Sequence, residues 1–283
     1  MELAFKDKKG ITLIELMIVL VIGSFIAAGA YRTFAGQQKT YTVQDQIVDI
    51  QQNARASIQR MVREVRLAGF GNVLMVLPAT INSVTYNNVV NPDTPAAGSL
   101  TILSAIVGAG ALTAQGNFGK NQITVSRLND DQGSPLFDTS NRKYVSIGGV
   151  ESHEISSIDN GTKTITLKDT LIFKHSAGTS VFAIRALTYQ VVVVSGTPLL
   201  MRDDNSGSGA QPLSDNIEAL QLMYTLVDDS QTGSPAKPAD IRMVRVSVTA
   251  RAEKADPDLK AGDGYRRRQF ATNIHLKNLG IEP

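Results

Sequence analysis

An apolar stretch close to the N-terminus constrains the fold of this chain more than any other feature. Residues 11–31 carry a single charged side chain, Glu15, and Gly10 stands directly before them. A helix needs about 20 apolar residues to cross the roughly 30 Å hydrocarbon core of a bilayer, and this stretch is long enough. We therefore predict a membrane-spanning helix at about residues 11–31.

The residues before this stretch form a short basic leader. Lys6, Lys8 and Lys9 predict that the leader stays in the cytoplasm while the rest of the chain is exported. A secretory signal peptide would be cut after its apolar region, behind small residues, and no clear site of that kind occurs before Tyr31. An ordinary membrane anchor would require neither a glycine before the stretch nor a glutamate inside it.

Glu15 needs a partner, because a carboxylate inside an apolar membrane segment costs a few kcal/mol. Cleavage between Gly10 and Ile11 would create an α-amino group at Ile11, and that amine, on the same or a neighbouring subunit, could pair with Glu15. Pairing between subunits would also fix the axial register of packed helices. The alternative is that Glu15 reaches the cytoplasmic interface of the membrane by itself.

The run Lys9-Gly10-Ile11-Thr12-Leu13-Ile14-Glu15 resembles the cleavage box of type IV prepilins, with the acid at the fifth position of the mature chain. The resemblance implies that a prepilin peptidase cuts between Gly10 and Ile11 and methylates the new amine.

A second apolar pattern follows the membrane segment. One helical face is lined at intervals of three and four residues by Val43, Ile47, Ile50, Ala54, Ile58, Met61, Val65 and Ala68. Polar residues, among them Arg60 and Glu64, are predicted to form a solvated opposite face.

No proline occurs between Ile11 and Leu77, so we predict one helix from about Thr12 to Leu67, about 80 Å long, ended by Gly69 and Gly71. The apolar face would pack the stalk. An isolated coiled coil is the less favoured alternative.

Beyond Asn72 the pattern changes to short β-like runs separated by turn residues. Strands are predicted at 100–106, 122–127, 154–158, 162–167, 181–194, 199–202, 220–227, 241–252 and 268–276. Asn160-Gly161 predicts a type I′ hairpin turn, and residues 87–95 and 231–238 predict surface loops. Residues 216–220 could form a helical turn rather than a strand.

This order indicates an α+β fold in which a long N-terminal helix, transmembrane and then amphipathic, packs on a mainly antiparallel β head. The predicted division is a leader at 1–10, a stalk helix at 11–71 and a head at 72–283. The resemblance to prepilins implies the same pilin-like architecture.

Few side chains indicate chemistry. The chain has no cysteine, and its formal net charge of +2 does not suggest a nucleic-acid partner. His153, His175 and His275 lack the spacing of a metal site or a catalytic triad, and each is predicted to be an ordinary surface or edge-strand histidine. No catalytic motif is present. We therefore expect a protein that is not an enzyme and has no cofactor.

Two acidic loops and one basic run have alternative interpretations. Residues 129–131 and 203–207 could supply oxygen ligands to calcium, but plain β-turns are the favoured interpretation. Arg266, Arg267 and Arg268 could contact phosphate or an acidic subunit face, but a solvated start of a strand is favoured.

The helix end resembles that of PilW-type minor pilins, which are relatives of the J-type pseudopilins of type II secretion. Arg66, Ala68, Gly69, Phe70 and Gly71 stand for the family pattern, and Tyr189, Arg202 and residues 217–224 resemble its later "Y…LxR…Y" progression. Many relatives carry a cysteine just after the helix motif, where this chain has Asn72, so no disulfide is carried over.

The resemblance implies a minor pilin that primes or caps a type IV pilus. Its expected partners are other minor pilins, the major pilin, the prepilin peptidase, the inner-membrane assembly platform and the lipid bilayer. It would lie in the inner membrane before assembly and in the pilus at the cell surface afterwards. The alternatives are a type II secretion pseudopilin, and a membrane-anchored enzyme or adhesin.

Overall fold

A continuous α-helix, α1 (Leu13–Val65), begins and ends within two residues of the predicted limits. The computed structural model describes residues 11–94, 96–256, 259 and 262–279, apart from the side chains of 106–109. The predicted leader, with Gly10, lies outside the described residues. The chain divides into two compact units, residues up to Asp49 and residues from Ile50 onward.

The apolar face of α1 is exposed to different extents in the two units. In the first unit Val43 and Ile47 are half-exposed. In the second unit Ile50, Ala54, Met61 and Val65 are buried, and Ile58 is partly buried against the same core. The last turns of α1 therefore belong to the hydrophobic core of the second unit.

The helix ends in a tight turn that requires glycine. Gly69 and Gly71 both have left-handed backbone conformations, with φ of 80° and 92°. A Cβ on Gly71 would lie 2.5 Å from the Cβ of Ala105, closer than packed atoms allow. The chain can thus pass directly over the neighbouring strand, to which the Gly69 N–H and the Phe70 carbonyl are hydrogen-bonded.

The described residues after α1 form fifteen strands: β1 (Ala79–Ile81), β2 (Val84–Tyr86), β3 (Val90–Pro92), β4 (Leu100–Ala111), β5 (Gln122–Thr124), β6 (Tyr144–Ile147), β7 (Glu151–Asp159), β8 (Thr164–Leu167), β9 (Ser180–Val194), β10 (Thr197–Asp203), β11 (Gln211–Asp215), β12 (Ile217–Leu226), β13 (Gln231–Thr232), β14 (Ile241–Arg251) and β15 (Arg267–His275). All their pairings are antiparallel.

Strand β9 organises the largest sheet, which has nine strands among the described residues. One edge of β9 pairs with β4, which pairs in turn with β3. The other edge pairs with β6 at residues 181–183 and with β10 at residues 188–194. From there the sheet continues through β7, β8 and β5 on one side and through β11 on the other.

The second unit has one core shared by α1 and two sheets. Met61 and Val65 belong to the same buried cluster as Tyr189 of the large sheet and Val244 and Val246 of the four-stranded sheet β13-β12-β14-β15. A second cluster lies among β5–β8, and a third surrounds the small β1-β2 sheet. The predicted α+β class, a long helix packed on antiparallel sheets, is confirmed.

Each predicted strand overlaps an observed one, but several local predictions are wrong. Strands β1, β2, β3, β6, β11 and β13 were not predicted, and β3 lies inside the predicted loop 87–95. These strands are short, and β6 is buried at every residue, so it shows no alternation. Residues 217–220 are strand, because they pair with β14. The predicted type I′ turn at Asn160 and Gly161 is also wrong. The turn between β7 and β8 spans residues 160–163, and the residue with the left-handed conformation is Lys163.

Candidate functional site

The first turn of α1 holds Glu15 in a fixed position. Thr12 precedes the helix, and its backbone N–H and hydroxyl donate to Glu15 Oε2 at 3.0 and 3.1 Å. The Glu15 N–H donates back to Thr12 Oγ1 at 3.3 Å. This reciprocal pattern is a capping box. The Thr-x-x-Glu spacing is a recognised signal for it, but the sequence interpretation considered only an amine partner or the membrane interface.

The capping box places a carboxylate at the N-terminus of the helix, where the helix dipole favours negative charge. Ile11 is exposed at this end, while Gly10 and the predicted cleavage bond lie outside the described residues. In the uncut chain the Ile11 nitrogen is an amide, so an ion pair with Glu15 can form only after cleavage. That pairing stays a prediction.

The N-terminal part of α1 presents an apolar surface with no protein covering it. Leu13, Phe25 and Tyr31 are 80%, 76% and 72% exposed. Within the described part of the chain, α1 is the helix long and apolar enough to cross a membrane, and none of its apolar window is buried. A contiguous apolar surface of this kind marks contact with lipid or with other protein.

Hydroxyl groups along this helix are satisfied internally. Ser24 Oγ donates to the Leu20 carbonyl at 2.7 Å, and Thr33 Oγ1 donates to the Gly29 carbonyl at 3.0 Å. Such bonds to the preceding turn leave no hydroxyl proton to be satisfied by water. The exposed surface of the helix is therefore compatible with a nonpolar environment.

Glu64 anchors the other end of α1 to the large sheet. Its Oε2 accepts hydrogen bonds from the Tyr189 hydroxyl of β9 and, at 3.0 Å, from Arg202 Nε of β10. The side chain of Glu64 is only 14% exposed, so its predicted place on a solvated face is wrong. Helical periodicity does not reveal partners more than a hundred residues away. The available signal was the Tyr189 and Arg202 pair in the family-like progression.

A further cation lies near this anchor. Burial lowers the pKa of Arg185 to about 10. The positive charge of Arg202 acts in the same direction, and the negative charge of Glu64 opposes both. Arg185 lies on β9 between the stretches that pair with β6 and with β10. The Glu64 carboxylate thus lies close to two guanidinium groups, those of Arg202 and Arg185.

A second acid, Glu151, is fully buried between two histidines. Its Oε2 accepts from His153 Nε2 at 3.0 Å, and its Oε1 accepts from His175 Nε2. The backbone N–H groups of Ile172 and Phe173 donate to the same carboxylate at 2.8 and 3.2 Å. Because an ionised carboxylate only accepts hydrogen bonds, both imidazoles carry a proton on Nε2. Burial raises the pKa of Glu151, but these hydrogen bonds outweigh it and hold the pKa below its usual range.

The sequence interpretation of two histidines is therefore wrong. His153 and His175 are buried and share one carboxylate, while His275 is exposed on the edge strand β15, as predicted. The Glu-x-His spacing of residues 151 and 153 places both side chains on one face of β7, and this was the available signal. The cluster joins β7 to residues 172–175, which makes it a structural tie.

In both acidic loops, an aspartate side chain accepts hydrogen bonds from backbone N–H groups of its own loop. Asp130 Oδ1 accepts from the N–H groups of Gln132 and Ser134 at 2.9 and 2.8 Å, and Asp203 Oδ1 accepts from the N–H of Asn205 at 2.7 Å. In the part of the chain that is described, no group of three or more His, Asp or Glu side chains converges as metal ligands would.

Two arginines of the basic run form ion pairs within the head. Arg266 binds Asp256 Oδ2 through Nε and Nη2 at 3.0 and 2.6 Å. Arg267 binds Glu218 and Asp263. Arg268 is exposed at the second residue of β15. The run therefore lies at the start of a strand, as the favoured interpretation predicted.

Comparison with known protein families supports part of the sequence interpretation. Residues 5–31 match the prokaryotic N-terminal methylation motif, a range that contains the second half of the predicted leader, the predicted cleavage bond and Glu15. This motif supports a protein of the type IV pilin and pseudopilin kind, anchored by its N-terminal helix and processed by a prepilin peptidase. No curated protein and no solved structure matches the chain.

The Glu151 tie gives a pH-dependent prediction. Glu151→Gln should lower the free energy of unfolding at pH 7 by roughly 1–3 kcal/mol. The substitution replaces one carboxylate oxygen by an NH₂ group, which cannot accept the N–H hydrogen bonds that the oxygen accepted. Since the pKa of Glu151 is lowered on folding, its stabilisation is complete above the ordinary value of 4.5 and disappears as the pH falls through the folded-state value. Denaturation of the detergent-solubilised protein would show a deficit at pH 7 that becomes smaller below pH 4.

The matched control is Glu253→Gln, at an exposed acid, which should change stability by less than about 0.5 kcal/mol. A Glu151→Gln deficit that stays the same down to pH 3 would contradict the assignment of an ionised carboxylate at this site.

Proposed function

We propose that this chain is a minor pilin, a structural subunit that primes the assembly of a type IV pilus or caps it. The observation that carries the proposal is the continuity of α1. An apolar, fully exposed helix with a methylation motif at its start runs without interruption into a helix end buried in a β-rich core. A subunit built in this way would pack its exposed helix against other pilin helices and present its head at the surface.

The size of the head favours a minor over a major subunit. About 210 residues follow the turn at Gly71, and so bulky a head is awkward to repeat along a tightly packed helical fibre. One copy at the tip avoids this problem, because its upper surface meets no further subunit. The resemblance of Arg66, Gly69 and Phe70 to the PilW pattern supports the same role.

The proposal includes location and partners. The chain would wait in the inner membrane as a single-pass protein with a cytoplasmic N-terminus and would then enter the pilus. Its partners would be other minor pilins, the major pilin and the inner-membrane assembly platform.

We propose no catalytic activity. The most conspicuous buried acid, Glu151, has its hydrogen bonds taken by His153, His175 and two backbone N–H groups.

A deletion strain tests the priming role. Loss of the protein should abolish surface pili, because no fibre can start. Removal of the retraction motor in the same strain should restore some pili, because rare starts are then no longer withdrawn. Pili would be counted by electron microscopy in both strains. Normal piliation in both would reject priming and favour a pseudopilin of type II secretion, which has the same motif.

Glu15 should matter for assembly because of its charge. Glu15→Leu removes the charge and the cap, whereas Glu15→Gln keeps an oxygen able to cap Thr12 and removes only the charge. We expect both variants to insert into the membrane and both to fall at least about tenfold in sheared fibres, which corresponds to a loss of about 1.4 kcal/mol.

Thr12→Ala is the matched control, since it removes the side-chain partner and leaves the carboxylate charged. It should enter fibres at close to the wild-type level. Wild-type incorporation of Glu15→Gln would show that the cap, and not a charge pair with the Ile11 amine, is what assembly needs.

A further inference from the structure

A cavity of about 630 Å³ opens on the head between the loop of residues 127–139 and the end of β7 with the turn that follows it. Sites for small ligands have volumes of about 300–1,000 Å³, so the cavity is of the right size for one. It shares no residue with the Glu64 anchor or the Glu151 tie. The assembly role described above does not use it.

The loop that forms one wall is held rigidly by its own hydrogen bonds. The backbone N–H of Leu136 donates to the Leu128 carbonyl at 2.8 Å. Asp138 Oδ1 accepts from the backbone N–H groups of Ser140, Asn141 and Arg142 at 2.7, 2.6 and 2.9 Å. A wall fixed in this way exists before any ligand arrives, which reduces the entropy cost of binding.

The opposite wall is joined to the loop. Lys163 Nζ, in the turn after β7, donates to the Ser126 carbonyl at 3.1 Å. The two sides of the cavity are thus linked by a direct hydrogen bond, and the ammonium group retains further donors.

The charged side chains around the cavity are of both signs. Arg127 Nη1 lies 2.9 Å from Asp131 Oδ1, and the second lining cation, Lys163, is matched by the lining acid Asp138. Burial raises the pKa of Asp138, but its hydrogen bonds outweigh this and hold the pKa below the usual value, so it is ionised at neutral pH. A phosphate would therefore meet carboxylates as well as cations here.

The remaining lining residues combine uncharged polar groups with apolar surface. Asn129, Thr139 and Asn160 each offer both a donor and an acceptor. Pro135, which is exposed, and Ile158, which is half-buried, supply apolar contact. A ligand that fits this lining carries many hydroxyl groups around a compact ring with nonpolar C–H faces.

From this combination we infer that the cavity binds a neutral saccharide, such as a short oligosaccharide of uncharged hexoses. The hydroxyl groups of the sugar hydrogen-bond to the amides and to Asp138, and the C–H face of the ring packs against Pro135 and Ile158. This activity adds ligand binding by the head to the structural role of the subunit, and it does not depend on priming.

The test uses the full-length protein in detergent micelles on an array of neutral, acidic and phosphorylated oligosaccharides, followed by calorimetry with the best neutral ligand. Asn160→Trp fills the cavity, and Asn129→Ala removes one amide. Asn117→Trp and Asn117→Ala are the matched controls, because Asn117 is an exposed asparagine that does not line the cavity. Circular dichroism verifies that each variant is folded.

We expect a neutral oligosaccharide to bind the wild type and both controls equally. Asn160→Trp should abolish binding, and Asn129→Ala should weaken it at least tenfold. Absence of any neutral ligand, a preference for acidic or phosphorylated glycans, or unchanged binding by a folded Asn160→Trp protein would overturn the inference. Piliation of the Asn160→Trp strain should equal that of the wild type, so failure here is separate from failure of the priming role.

Discussion

Burial of the last turns of α1 is the interaction on which the second unit depends. Met61 and Val65 lie in a core with residues from both of the larger sheets, so neither sheet has a complete core without the helix. Glu64 adds a polar tie to Tyr189 and Arg202. The Tyr189 hydroxyl and the Arg202 guanidinium supply the hydrogen bonds that a mostly buried carboxylate needs, because a buried polar group without a partner is costly. The helix end is therefore a structural part of the head.

The N-terminal part of the same helix has the opposite property. Its apolar side chains are exposed, its hydroxyls are satisfied within the helix, and its one acid is capped by Thr12. Together with the methylation motif over residues 5–31, these features are those of a segment that anchors the chain in a membrane. The head then contributes what the helix cannot, a folded surface with its own cavity.

Local patterns in the sequence predicted α1 and all the long strands, because helical and strand periods are read from neighbouring residues. Short strands such as β1 and the fully buried β6 gave no such signal. The polar ties were missed for a different reason. Glu64 meets Tyr189, and Glu151 meets His175, only through the tertiary fold, so the sequence interpretation placed Glu64 and the histidines on the surface. The cavity likewise depends on how the loop after β5 folds against β7.

The mass of the mature protein tests the central claim most directly. The chain would be expressed with a prepilin peptidase, extracted from membranes and measured intact. The account predicts the loss of residues 1–10 and one added methyl group on the Ile11 amine, while Gly10→Val, which hinders close approach of the peptidase, retains the full leader. An uncut wild-type chain, a cut at another bond, or normal trimming of Gly10→Val would contradict the assignment of this chain as a prepilin.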